Sequence, residues 1–250
     1  MYAERRFNGV MKIYGTESLS KFNQAHICVI GVGGVGSWVV EALARSGIGN
    51  LNLIDLDHIV ESNINRQIQA LESTFGQAKV VALINRIKEI NPAIQVTPQE
   101  IFIEPSNLDQ LIHSDFNLVL DCIDNSYNKA ALLAYCLQKG IKVISVGGAG
   151  GRRNPFKIKV ADLNAVGRDK LLAKTRNRMR QEFGCVLQPK QPIGIQCVYS
   201  DEPQMQTCNS TPIQAMTGGL QCNGYGSVVT VTATFGFMAA ALALEQLAKI

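Results

Sequence analysis

Four glycines, Gly31, Gly33, Gly34 and Gly36, stand directly after the apolar run HICVI and directly before an apolar helical pattern. This is G-x-G-x-x-G in the setting that gives it meaning. Gly31 permits a tight turn, Gly33 lets backbone approach a phosphate, and Gly36 lets the next helix pack on the strand while its N-terminus faces the anion. Asp55 closes the following apolar run, where a carboxylate can accept from a ribose hydroxyl. A nucleotide site is therefore expected, and the turn alone suits NAD at least as well as ATP.

The residues that follow favour a triphosphate. Asp57, Asn63, Arg66 and Gln67 lie in LIDLDHIVESNINRQ, and Lys79 ends a Gly-Gln-Ala-Lys helix start. A dinucleotide has one pyrophosphate, already served by the glycine turn, whereas a triphosphate needs cations on its outer groups. Taken singly, each basic residue could equally be a solvated surface charge. The stretch NLVLDCIDN sets Asp121 and Asp124 at the carboxyl end of a strand. Open α/β sheets place ligands there, and a carboxylate beside a triphosphate is the hard oxygen ligand that Mg²⁺ takes. Asp124 also reads as the N-cap of a helix beginning near residue 127. No G-x-x-x-x-G-K-[ST] sequence occurs, so a P-loop is not the source of nucleotide binding.

Elements able to position these residues alternate along the first half. Strands are expected at HICVIG, NLNLID, IQVTP, NLVLDCID and KVISVGG, with helices near 35–45, 77–90 and 127–138. Such alternation predicts an α/β fold, a doubly wound Rossmann-like and mostly parallel sheet with right-handed crossovers. The 250 residues, 46% hydrophobic, can fill a real core and exclude disorder for most of the chain. One domain is expected, with a nucleotide-binding core over 5–151, a basic segment over 152–183, an irregular loop over 184–226 and a buried helical region over 227–249. The last of these carries a single charge between 227 and 248, Glu245. It reads as a strand or turn running into a core helix, with membrane association the lesser alternative. The N-terminal MYAERRFNGVMKIYG has no apolar signal-like core, so a cytoplasmic protein is expected.

Charge is unevenly spread. Ten of the 24 basic residues, Arg152, Arg153, Lys157, Lys159, Arg168, Lys170, Lys174, Arg176, Arg178 and Arg180, fall within 29 positions and are opposed only by Asp162 and Asp169. That segment nets +8 and the remainder −4. The segregation suits a polyanionic partner, because cations that meet phosphates release condensed counterions; a solvated helix face is the competing reading. Seven cysteines without a C-x-x-C pair give neither a zinc ribbon nor a disulfide framework. His26, His58 and His113 share no metal-ligand spacing and read as structural, and Trp38 reads as core.

As a set, the glycine turn, Asp55 to Gln67, the Gly-Gln-Ala-Lys start and LDCIDN resemble the ThiF-type, ubiquitin-activating-enzyme-like ATP-dependent adenylating superfamily. The resemblance implies that Gly31, Gly33, Gly34 and Gly36 cradle ATP, with Asp55 on its ribose and Asp57 beside it. Asn63, Arg66 and Lys79 would serve the phosphates, and Asp124 would bind Mg²⁺ or steer adenylation. It further implies a homodimer in which an N-terminal arginine, with Arg6 the candidate, reaches the neighbouring site. Gly9 and Val10 depart from that motif. The missing C-x-x-C pairs and the basic block then separate the chain from the sulfur-carrier activators. With RRFNGVMKIYG, GGAGGRRNPFKIKVAD and CNGYGSVVTVTATFG, the whole chain resembles the tRNA threonylcarbamoyladenosine dehydratase family. That implies ATP-dependent cyclisation, with loss of water, of a modified nucleoside beside the anticodon. The basic block would face tRNA. It also implies ATP and Mg²⁺ without structural zinc, leaves a monovalent cation open, and makes sulfur-relay proteins partners by family likeness alone.

Three alternatives compete: an activator of a ubiquitin-like sulfur-carrier protein, an NAD-binding oxidoreductase or sensor, and a noncatalytic tRNA-binding protein. A thioester or persulfide route would use Cys185, Cys197, Cys208 or Cys222. The NAD reading leaves Arg66, Lys79 and Asp124 without roles and lacks an evident hydride-transfer acid and base.

Overall fold

The computed structural model describes residues 5–188, 191–205 and 225–249. Helix α1 (Asn8–Gln24) is interrupted at Gly15, whose φ of 87° ends one helical segment and starts the next. There follow β1 (His26–Ile30), α2 (Gly36–Arg45), β2 (Asn50–Ile54), α3 (Lys79–Ile90), β3 (Gln95–Gln99), the single turn α4 (Leu108–Leu111), β4 (Leu118–Asp121), α5 (Ser126–Lys139) and β5 (Val143–Val146). The second part adds β6 (Ile158–Asp162), α6 (Lys170–Gln181), β7 (Gln196–Ser200) and α7 (Val229–Ala248). The seven strands run in the order β3-β2-β1-β4-β5-β7-β6 and are parallel except for β6, which pairs antiparallel with β7.

The strands between the two edges are buried because helices cover both faces; β1, β4 and β5 read as largely apolar runs, whereas β2 interleaves Asn50 and Asn52 with its leucines and β7 begins and ends on polar residues. Pro98 is tolerated in β3 because that strand forms an edge. One core gathers Phe22, Ile27, Leu43, Leu53, Leu83 and Leu120 with Val231 and Phe235 of α7. A second, on the other side of the sheet, gathers Val119, Leu132, Leu133, Leu172 and Met179. Strand order reverses between β2-β1 and β4-β5, leaving a crevice at the carboxyl ends of β1 and β4, where such sheets bind ligands.

Two expectations are corrected here. The supposed loop 184–226 contributes β7, which lies inside the sheet between β5 and β6, and the basic segment contributes β6 itself. Short runs flanked by Gln, Pro and Gly carry too little periodicity to announce a strand, yet the partner strands supply the missing register. The region near 227 contains no strand: helix α7 takes up the β-branched residues from Val229 on, with Val228 as its N-cap, and Gly236 permits its close packing on α2. A Cβ there would stand 2.7 Å from the Trp38 Cβ and 2.8 Å from the Val35 carbonyl oxygen. Helix α7 is long and apolar enough to cross a membrane by composition, but 56% of that stretch is buried against the fold. That burial is what a core helix shows.

Candidate active site

The glycine turn leaves β1 at Gly31, whose φ of +80° and close approach to the Cys122 carbonyl, 2.9 Å from an added Cβ, demand glycine. At Gly36 an added Cβ would fall 1.9 Å from the Gly31 oxygen. Gly33 differs, since its nearest neighbour would be the Gln67 amide nitrogen at 3.9 Å, so the space above it is open to a ligand. Helix α2 begins there without a side-chain cap, leaving its first N–H groups for an anion. Gly36→Ala is expected to cost about 1–3 kcal/mol of stability in urea denaturation through overpacking. Gly33→Ala should leave that midpoint unchanged while weakening ATP binding about tenfold or more in calorimetric titration, because its methyl group meets only the ligand.

Asp55, buried at the end of β2, accepts from the Val32 N–H at 2.8 Å with one oxygen and from the Asp57 N–H at 2.9 Å with the other. Burial raises its pKa, opposed by Lys79 and by these two donors. A short bridge between His58 and Ala78 folds residues 76–79 back along 57–59. Lys79, the first residue of α3, is thereby buried with its ammonium 2.6 Å from Asp57, whose own side chain is 54% exposed. Asn63 is buried and its side-chain oxygen accepts from the Val60 N–H.

Arg66 lies along the turn, its side-chain carbons 3.3–3.4 Å from where a Cβ on Gly34 would stand. Its guanidinium donates to the Ser62 carbonyl and the Asn65 side chain. Its backbone carbonyl accepts from the Trp38 indole N–H at 2.9 Å and from the Thr232 hydroxyl at 3.5 Å. Trp38 is thus half-buried and polar in use, so α2 and α7 together fix the register of Arg66.

Asp124 follows β4 and is exposed at the crevice. It does not cap α5. Asn125 does so, accepting from Tyr127 and Asn128 N–H groups at 2.9 and 3.2 Å, which leaves the Asp124 carboxylate for other use. The partial desolvation of that concave corner raises the Asp124 pKa, with Lys129 and Lys79 lowering it and Asp57 raising it. Asp121, by contrast, is fully buried under the crevice and receives Lys129 at 2.6 Å, Ser145 at 2.6 Å and the Ile123 N–H at 3.1 Å. Neither Lys129 nor Ser145 was singled out by motif spacing; a lone lysine in the apolar helix pattern of α5 was the available signal.

Two members of the basic block are not at the surface. Arg152 is buried, ion-paired with Asp169 at 3.0 Å and bonded to the Ser200 carbonyl, so it cannot meet tRNA phosphates in this arrangement. Its acidic partner caps α6 and binds the Gly148 N–H as well, which makes Arg152 a brace for the loop after β5. Arg176 is half-buried and donates to the Leu163 and Val166 carbonyls, and desolvation lowers its pKa. Arg178 pairs with Glu182 and stands over the Tyr127 ring, three residues from Asp124. Arg153, Lys157, Lys159, Arg168, Lys170, Lys174 and Arg180 are exposed.

Arg6 donates to the Glu89 and Ile90 carbonyls at the end of α3 in its own chain. It borders an open cavity of about 560 Å³ shared with Arg45 and Arg86, at the opposite ends of α2 and α3 from the glycine turn. The nucleotide candidates do not line that cavity, so its size does not mark the chemistry. Burial raises the thiol pKa of Cys28, Cys122, Cys136, Cys185 and Cys197, to about 12 at Cys122 and Cys136, which disfavours thiolates. Cys208 and Cys222 lie outside the described residues.

The family model described as the ThiF family matches residues 5–250. The tRNA threonylcarbamoyladenosine dehydratase of Haemophilus influenzae is 44% identical, covering 98% of this chain and 94% of that protein. The crystal structure of Escherichia coli tRNA N6-threonylcarbamoyladenosine dehydratase in complex with ATP aligns with a TM-score of 0.88 at 41% identity, over 98% of this chain and 94% of that one. Its complex with AMP gives 0.89 and 42% with the same coverage.

Proposed function

From the premise that the chain belongs to the ThiF family, we propose that it is an ATP-dependent adenylating enzyme that dehydrates threonylcarbamoyladenosine in tRNA. What carries this reading is likeness over nearly the whole length to dehydratases, one of them solved with ATP and with AMP. In the proposal the ATP phosphates lie over Gly33 at the start of α2, and Asp55 accepts from the ribose. Asn63, Arg66 and Lys79 face the phosphates, with Asp57 exchanging its hold on Lys79 as they arrive.

The threonyl carboxylate is already ionised at neutral pH, so it needs no general base to attack the α-phosphorus. One P–O bond forms, the bond to pyrophosphate breaks, and Arg66 and Lys79 offset charge on the departing group. The carbamoyl group of the same side chain then attacks the acyl carbon, loses a proton and expels AMP. This intramolecular attack can have an effective molarity of roughly 10⁵ to 10⁸ M, which removes the need for a cysteine. The exposed Asp124 carboxylate, which does not cap α5, is the hard oxygen ligand that would hold a divalent cation such as Mg²⁺, and that cation would supply neutralisation of phosphate charge. A homodimer belongs to the proposal, and for Arg6 to cross it the side chain would have to exchange its contacts at the end of α3.

The test is to incubate the protein with ATP, Mg²⁺ and threonylcarbamoylated tRNA, digest the RNA, and weigh its nucleosides. A nucleoside lighter by one water, with AMP and pyrophosphate formed alongside, is the expected result. Unchanged tRNA beside an adenylated sulfur-carrier C-terminus would replace the substrate while keeping the ATP site.

A further inference from the structure

Phe156 exposes 94% of its surface, the highest value for any large apolar side chain among the described residues. Single exposed apolar residues are ordinary. The frame around this one is not. It sits in the middle of the 3₁₀ turn Pro155–Lys157, where Pro155 fixes the first φ and the Asn154 side chain accepts the Phe156 N–H at 3.0 Å. The buried Glu202 carboxylate accepts the N–H groups of Arg153 and Asn154 at 3.1 and 2.9 Å, and the Asp201 N–H donates to the Lys157 carbonyl at 3.0 Å. Backbone on both sides of the ring is thus tied down, so displaying it costs little ordering entropy.

The charged setting favours RNA. Arg153, Lys157, Lys159 and Arg168 are exposed around the turn. Two acids face them: Asp201, paired with Lys159 and held below the usual carboxylate range by that partner, and Glu202, spent on backbone N–H groups. The topology supplies the location. Ile158 pairs with Ser200, the last residue of β7, so the turn stands at the carboxyl edge of the sheet, the edge that also carries the glycine turn and Asp124. Three strand spacings separate β4 from β6, about 14 Å in the sheet.

We propose that Phe156 is a stacking platform for an unpaired base of the anticodon loop, with Arg153, Lys157 and Arg168 on the flanking phosphates. This rests on the dehydratase reading above. Sequence-specific and single-stranded RNA recognition relies on bases splayed onto aromatic faces, and a rigid ring beside cations is the protein half of that contact.

The test compares steady-state dehydration by the unaltered protein, Phe156→Ala, Phe156→Leu and Phe156→Tyr. The alanine and leucine variants should raise KM for threonylcarbamoylated tRNA roughly 5- to 150-fold, the stacking range converted at about 1.4 kcal/mol per tenfold. Their kcat, KM for ATP and thermal midpoint should stay unchanged, and tyrosine should restore the original KM. An alanine variant equal to the unaltered protein overturns the proposal while the dehydratase reading stands. A leucine variant with full affinity overturns stacking in favour of plain apolar contact. If the unaltered protein dehydrates no tRNA, the underlying reading fails and takes this one with it.

Discussion

Lys129→Leu is expected to lower the unfolding free energy by about 3–5 kcal/mol, the usual cost of leaving a buried charge without its partner. Lys129 and Asp121 are both 0% exposed and stand 2.6 Å apart. Among the described residues, removing the ammonium leaves the Asp121 carboxylate with the Ser145 hydroxyl and the Ile123 N–H alone. The added Asp121→Asn change should recover much of the loss, because a neutral amide needs hydrogen bonds but no counter-charge. Urea titration of the single and double variants measures both effects. A single variant within about 1 kcal/mol of the parent would show that water or relaxation compensates the carboxylate. The consequence extends to the chemistry, since the Asp121 oxygen that holds Ile123 sets the first step of the loop leading to Asp124.

That pair also shows what a sequence displays and what it hides. Gly31, Gly33 and Gly36 were legible because local backbone geometry demands glycine there, whatever the rest of the chain does. Asp55, Lys79 and Asp124 were legible because each stands within a few residues of a strand end or helix start. In sequence Asp121 is one more carboxylate at the mouth, since nothing local says that Lys129 and Ser145 will close over it. Arg152 misled for the same reason: its charge is visible in sequence, but Asp169, 17 positions away, draws it inside. Strands β6 and β7 were missed because an edge strand and its inserted neighbour owe their register to partners far along the chain. Helix α1 is hidden in the sequence too, its pattern broken by the turn at Gly15.

The second lysine–aspartate pair has the same 2.6 Å length and the opposite expected fate. Lys79 is 7% exposed but its partner Asp57 is 54% exposed, so Lys79→Ala leaves behind a carboxylate that water can solvate. Stability should therefore change little, within roughly 1 kcal/mol. Adenylation should fall by about 10² to 10³, the range for losing one donor that meets charge developing in the transition state. Pyrophosphate release in single turnover measures the loss, and a variant that merely unfolds would betray itself in the urea midpoint. Asp124→Asn should produce a comparable loss by removing the exposed carboxylate that α5 does not use. The pH profile separates the two roles. Because desolvation raises the Asp124 pKa, its working carboxylate is lost as pH falls through a value above that of an ordinary aspartate. The acid limb of kcat/KM should sit correspondingly high in the parent, move higher still in Lys79→Ala, which removes a cation that lowers this pKa, and vanish from the residual activity of Asp124→Asn. A limb that survives in that variant would assign the titration to another group, and the carboxylate at the mouth of the crevice would lose its place in the mechanism.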